Sequence, residues 1–106
     1  MITDKELAII KEKINKSNDR ITILFHTLGD PCRMKIFKTL LTRHDLCVGD
    51  IARLCNVSPS AASQQLRIME MSGIVKRERI KQMVCYHVTS SDSNIKNIAT
   101  LVKKYL

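Results

Sequence analysis

Residues 58–73 form a helix whose two ends are both written into the sequence, and the rest of the chain has to be arranged around it. Ser58 suits the N-cap, since its hydroxyl accepts an orphan N–H of the first turn. Pro59 follows at N1, where a missing N–H costs nothing. Gly73 suits the left-handed residue just past the C-terminus. Between them Ala62, Leu66 and Met69 recur at i, i+4 and i+7, which is one buried stripe. Ser60, Ser63, Gln64 and Arg67 fall mostly off that stripe. Hydroxyls, an amide and a guanidinium on an open helix face can bond base edges and phosphates in a major groove. The same residues also describe a plain solvated face, so the flanking segments have to decide.

Upstream, Gly49-Asp50 opens a short helix with Ile51, Leu54 and Cys55 at i, i+3 and i+4, and Asn56-Val57 turns directly into the Ser58 helix. A short helix, a tight turn and a capped second helix make a helix-turn-helix, whose second helix enters the major groove. Downstream of Gly73 the apolar period changes from 3.6 to 2. Ile74–Ile80 reads as a strand bearing Lys76, Arg77 and Arg79. Lys81-Gln82 is a turn, and Met83–Val88 a second strand with Val84, Tyr86 and Val88 on one face. A basic hairpin behind a helix-turn-helix is a wing, its cations set on phosphates or in the adjacent minor groove.

The remaining elements flank this core. Thr3 and Glu6 form a capping box for a helix over about residues 4–16, with Leu7, Ile10 and Ile14 on one face. Ser17-Asn18-Asp19 is a break. Ile21, Leu24, Phe25 and Leu28 give a second helix that ends at Gly29. Asp30-Pro31 starts a third, which carries Met34, Phe37, Leu40 and Leu41 inward. Thr42-Arg43-His44-Asp45 is a polar loop, and Leu46-Cys47-Val48 a short strand. Ser90-Ser91-Asp92 caps a last helix with Ile95, Ile98 and Val102 on one stripe. The expected class is mostly α with a small β-wing, in the order ααα(β)ααββα, as one domain over residues 1–106. Narrow apolar stripes on the terminal helices suit a symmetric dimer, which sets two recognition helices for successive major grooves.

Charge agrees with a nucleic-acid partner. The chain has 18 Lys and Arg against 10 Asp and Glu, a formal charge of +8, which favours polyanions. Aromatic residues are only 4%, without Trp, too few for a single-strand binder that stacks bases on aromatic platforms. No basic n-region with an apolar stretch opens the chain, and no apolar run approaches a membrane span. The expectation is a cytoplasmic protein with reduced thiols.

Four ordered motifs resemble one family. Leu28-Gly29-Asp30-Pro31-Cys32-Arg33 resembles the LxDPxR motif of ArsR/SmtB-family repressors. Asp45-Leu46-Cys47-Val48-Gly49-Asp50-Ile51 is similar to their ELCVxDL box. Ser60-Ala61-Ala62-Ser63-Gln64-Gln65-Leu66 resembles their SxxSxHL recognition helix, and Gly73-Ile74-Val75 the strand start that follows. The resemblance implies a homodimeric winged helix-turn-helix transcriptional repressor, released from its operator by a metal ion or by thiol chemistry. Gln64 stands where the family usually has His, Lys81 in the place of the usual wing Gly, and Gly49 where thiolate-binding members carry a second Cys. Of the family's last-helix metal site only Asp92 survives, since Asn94 and Tyr105 hold the histidine places.

The reading is therefore a double-stranded DNA-binding regulator and not an enzyme. Ser60, Ser63 and Gln64 are the expected base readers. Ser58, Arg67, Lys76, Arg77, Arg79 and Lys81 are the expected phosphate and wing contacts. The other function these elements allow is a winged-helix protein-interaction module without DNA binding, which loss of recognition-helix polarity or of wing charge would favour. For a sensing site, Cys47 matches the family's position and Cys32 is the nearest other thiol candidate, either for zinc or another thiophilic metal or for a redox pair. Cys55 sits on a core stripe as a small hydrophobe. Cys85 and His87 share a strand face at i, i+2, as a partly exposed pair.

Overall fold

The computed structural model describes residues 1–16, 19–44 and 46–106. The breaks expected at Ser17-Asn18 and at Asp45 lie outside them. Six helices and a three-stranded antiparallel sheet follow the expected order: α1 (Asp4–Asn15), α2 (Asp19–Leu28), α3 (Pro31–Thr42), β1 (Leu46–Cys47), α4 (Val48–Cys55), α5 (Pro59–Met71), β2 (Val75–Ile80), β3 (Met83–Val88) and α6 (Ser93–Lys103).

The helix starts follow the capping chemistry. Thr3 Oγ1 accepts from Glu6 N–H at 3.1 Å while Glu6 Oε1 accepts from Thr3 N–H at 3.0 Å. Asp30 Oδ2 accepts from Arg33 N–H, and Ser58 Oγ from Ala61 N–H, both at 3.0 Å. Asp92 Oδ1 accepts from Asn94 N–H at 2.9 Å and from Ile95 N–H at 3.3 Å. Each bond satisfies a donor that the helix itself leaves open.

The core lies where α2, α3, α5, α6 and the sheet meet, around Leu24, Ile36, Phe37, Leu40, Leu66, Met69, Ile74 and Ile95. The α5 stripe is as expected, with Ala62, Leu66 and Met69 all at 0% exposure. Two expected core residues point outward. Phe25 is 57% and Leu54 is 61% exposed, while Thr27 and Ala52 are buried instead. In α2, Thr27 can be buried because its hydroxyl donates to Ile23 O at 2.8 Å. In α4 the buried set is Ile51, Ala52 and Cys55, a stripe one step round from the one expected. Val48 is the first residue of α4 rather than part of the strand. Met34 and Leu41 are only half-buried, and Ile36 takes the fully buried place on α3.

The sheet order is β1-β3-β2. β2 and β3 pair from Val75↔Val88 to Ile80↔Met83, and β1 adds Leu46↔Tyr86 and Cys47↔Cys85 on the far edge of β3. Helix α1 stands apart in character: none of its residues is buried.

Candidate nucleic-acid interface

Two left-handed residues aim the site. Asn56 closes α4 at φ 55°, a conformation that Asn tolerates better than most non-Gly residues. It reverses the chain so that α5 begins two residues after Val57. At the other end Gly73, at φ 80°, lets Ile74 N–H reach back to Met69 O at 2.9 Å. A Cβ at Gly73 would stand 2.8 Å from the Arg20 guanidinium.

With its apolar stripe sealed, α5 presents Ser60, Ser63, Gln64 and Arg67 to solvent, all exposed. Ser58 is exposed too, and its oxygen caps the helix, which leaves its O–H as a donor. Sequence reasoning missed what holds this helix. Arg33 donates through Nε to Thr27 O at 2.7 Å and through NH1 to Gln65 Oε1 at 3.0 Å. It thereby pins α5 to α2 and α3 from behind the exposed face. Arg20 donates to Asp92 Oδ2 through Nε at 3.1 Å and NH2 at 2.8 Å, and through NH1 to Ser72 O at 2.5 Å. That network joins α2, the end of α5 and the cap of α6. Asp92 is held below the usual carboxylate range, first by the Arg20 bond, against some desolvation, then by its two backbone donors and the Arg20 charge. The one family metal-site residue that this chain retains in its last region is thus engaged in capping and in an ion pair.

The wing divides its cations. Pairing places Arg77 opposite Tyr86 and Arg79 opposite Val84, so both share one face; Lys76 and Glu78 lie on the other, opposite His87 and Cys85. Arg77 and Arg79 line a shallow groove with Val84. Arg77 Nε is 3.9 Å from Glu70 Oε2, which leans it towards the C-terminal part of α5. Burial pushes the Tyr86 phenol up, with Glu70 adding and with Arg77 and Arg67 opposing. At the tip Lys81 takes φ 58°, and it is the only residue of the two-residue turn at positive φ. That is the position at which a type II′ hairpin prefers Gly.

The thiols are arranged otherwise than expected. Cys47 meets Cys85, not Cys32, with the two sulfurs 2.8 Å apart. Cys32 lies within electrostatic reach of Cys55, whose thiol burial pushes up, against a bond from Thr39. Cys55 is a core residue, as expected. Cys85 is 5% exposed, not part of a partly open pair with His87. His87 Nδ1 faces Glu78 at 3.9 Å instead. Among the described residues no three His, Cys, Asp or Glu side chains converge as metal ligands, and a thiolate metal site needs three or four. The described residues of one chain therefore do not by themselves make up such a metal centre. No helix among the described residues is long and apolar enough to cross a membrane.

A short helix, a left-handed turn, an exposed polar second helix and a basic hairpin define a winged helix-turn-helix protein. Residues 30–77 match the family described as bacterial regulatory proteins of the arsR family. A "Transcriptional repressor SmtB homolog" of Synechocystis is 37% identical over 82 residues, 77% of this chain and 60% of that protein. A "Cadmium resistance transcriptional regulatory protein CadC homolog" of Staphylococcus aureus is 30% identical, over 83% of this chain and 72% of that one. The homodimeric winged helix-turn-helix DNA-binding domain of Mb0332 from Mycobacterium bovis superposes with a TM-score of 0.70 at 18% identity, over 98% of this chain and 86% of that one. The chain belongs to the ArsR family of bacterial regulatory proteins.

Proposed function

We propose that this chain is a cytoplasmic repressor that binds double-stranded operator DNA as a homodimer. Ser60, Ser63 and Gln64 read base edges. Ser58, Arg67, Arg77, Arg79, Lys76 and Lys81 hold phosphates or the adjacent minor groove. One observation carries this reading. Ser60, Ser63, Gln64 and Arg67 of α5 are all exposed, and the basic wing leans on the same helix through Arg77 and Glu70, on a chain of net charge +8. A solvated face alone gives no reason for Arg33 and Arg20 to brace the same helix from behind.

Dimerisation rests on α1. It exposes Leu7, Ile10 and Ile14, and α6 exposes Leu101 beside its buried stripe. The Mb0332 domain, of the same fold, is a homodimer. A dimer on an operator blocks polymerase, and a signal releases it through the coupling free energy between two sites. Thiol chemistry is the better supported signal, because two thiols meet and no third metal ligand joins them among the described residues.

Fluorescence anisotropy tests the reading, using duplexes from the protein's own upstream region against scrambled duplex at about 0.15 M salt. Tight selective binding at two chains per duplex is the expected result. Equal binding to scrambled DNA across that region overturns it.

A further inference from the structure

We infer that Cys47 and Cys85 are a dithiol modification site, which hydrogen peroxide oxidises to a disulfide across β1 and β3. The two residues are direct partners in the antiparallel register. Opposed residues in such a pair have Cα atoms about 4.5 or 5.5 Å apart, within the range that a disulfide spans. The sulfurs already lie 2.8 Å apart, so closing the bond needs a side-chain adjustment rather than a backbone shift. Metal binding is the less fitting use of these thiols, for want of further ligands among the described residues.

The two thiols differ in access. Cys47 is half-buried and Cys85 is 5% exposed. Asp50, which lines an open cleft with Leu46 and Arg53, accepts through Oδ2 from the Cys47 N–H at 3.2 Å. Cys47 is therefore the attacking sulfur and Cys85 the resolving one. The Cys47 thiolate attacks the O–O bond of the peroxide. It becomes a sulfenic acid, and the hydroxide released takes up the proton that the thiol had lost. The Cys85 sulfur then attacks the sulfenic sulfur, the S–S bond forms, and water leaves with the Cys85 proton. Two thiols are oxidised by two electrons, and one peroxide is reduced to water.

The bond ties the first helix of the helix-turn-helix to the wing. β1 is two residues long, so its pairing with β3 is a slender joint between those parts. In this reading a duplex held by both α5 and the wing adjusts their relative tilt across that joint. A covalent bond there removes the adjustment, so the oxidised form binds operator more weakly. This consequence rests on the DNA-binding reading; the disulfide itself does not.

The experiment treats the reduced full chain with hydrogen peroxide, maps peptides without reductant by mass spectrometry, and measures DNA anisotropy before and after. The expected product is a monomeric chain lacking two hydrogens, with the Cys47 and Cys85 peptides linked. It also forms in a Cys32→Ser, Cys55→Ala variant, fails in Cys47→Ser or Cys85→Ser, and reverses with a dithiol reductant. Operator affinity is expected to fall about tenfold on oxidation, within the usual range of coupling between sites. Linkage of another pair, or sulfonic acid at Cys47 without linkage, overturns the site. Disulfide formation at unchanged affinity overturns its regulatory consequence. Reduced protein that selects no duplex overturns the DNA-binding reading, while the peptide map still decides the dithiol.

Discussion

Arg20 and Asp92 lie 72 positions apart in sequence, yet one carboxylate oxygen of Asp92 accepts two bonds from the Arg20 guanidinium. The other oxygen caps α6. This pair sets an acid limit on stability. The folded Asp92 pKa is lowered, so its stabilising share is complete above the unfolded carboxyl value of about 3.9. It is lost as pH falls below that, through the folded value. Melting temperature followed from neutral pH to about pH 3 should fall more steeply in wild type than in Asp92→Asn, the two curves converging in acid. Parallel curves would remove the pair from the acid response.

Gly73→Ala meets two costs. The residue holds φ 80°, and the new Cβ would stand 2.8 Å from an Arg20 nitrogen that is already tied to Asp92. Loss of about 1–3 kcal/mol in urea unfolding is expected from the backbone conformation and the displaced guanidinium together. Combining it with Arg20→Ala should cost less than the sum, because the clash disappears.

Lys81→Gly should raise stability by about 0.5–1 kcal/mol, since Lys81 sits at φ 58° in a turn position that Gly occupies without strain. Lys81→Ala keeps the strain and removes the charge. Comparing the two in DNA titrations therefore separates wing-tip shape from wing-tip charge. Equal melting temperatures would show that the turn carries no strain.

Gln64→Ala and Arg77→Ala should fail differently on DNA. The first is expected to relax preference at one base pair by about 1–3 kcal/mol. The second should weaken all sequences alike and reduce the salt slope by about one. A Gln64→Ala variant with unchanged base preference would remove Gln64 from the readers.

The capped helices were legible because their signals are local. Thr3 with Glu6, Asp30 with Pro31, Ser58 with Pro59, and Asp92 all start helices where the sequence marks them. The polar face of α5 was legible for the same reason. Phe25 and Leu54 point outward against the expected stripes because a periodic stripe fixes spacing better than direction. On an eight-residue helix Leu54 outweighs Ala52 in hydrophobicity, while packing selects the smaller residue. Arg33, Arg20 and the Cys47–Cys85 pair were not legible, since each joins elements through a non-local approach. Their partners lie 32, 72 and 38 positions away, and no periodicity records such a pairing.

Helix α1 has twelve residues and buries none of them. A helix of that length alone is marginal in water, so in the proposed dimer its order and the meeting of two subunits become one event. Diluting the protein should melt this segment while the core remains intact. At chain concentrations below the dissociation constant of the proposed dimer, occupancy of a two-fold operator rises with the square of protein concentration. Under the proposed function, the exposed face of α1 thus turns a modest change in copy number into a steeper change in how much operator is held.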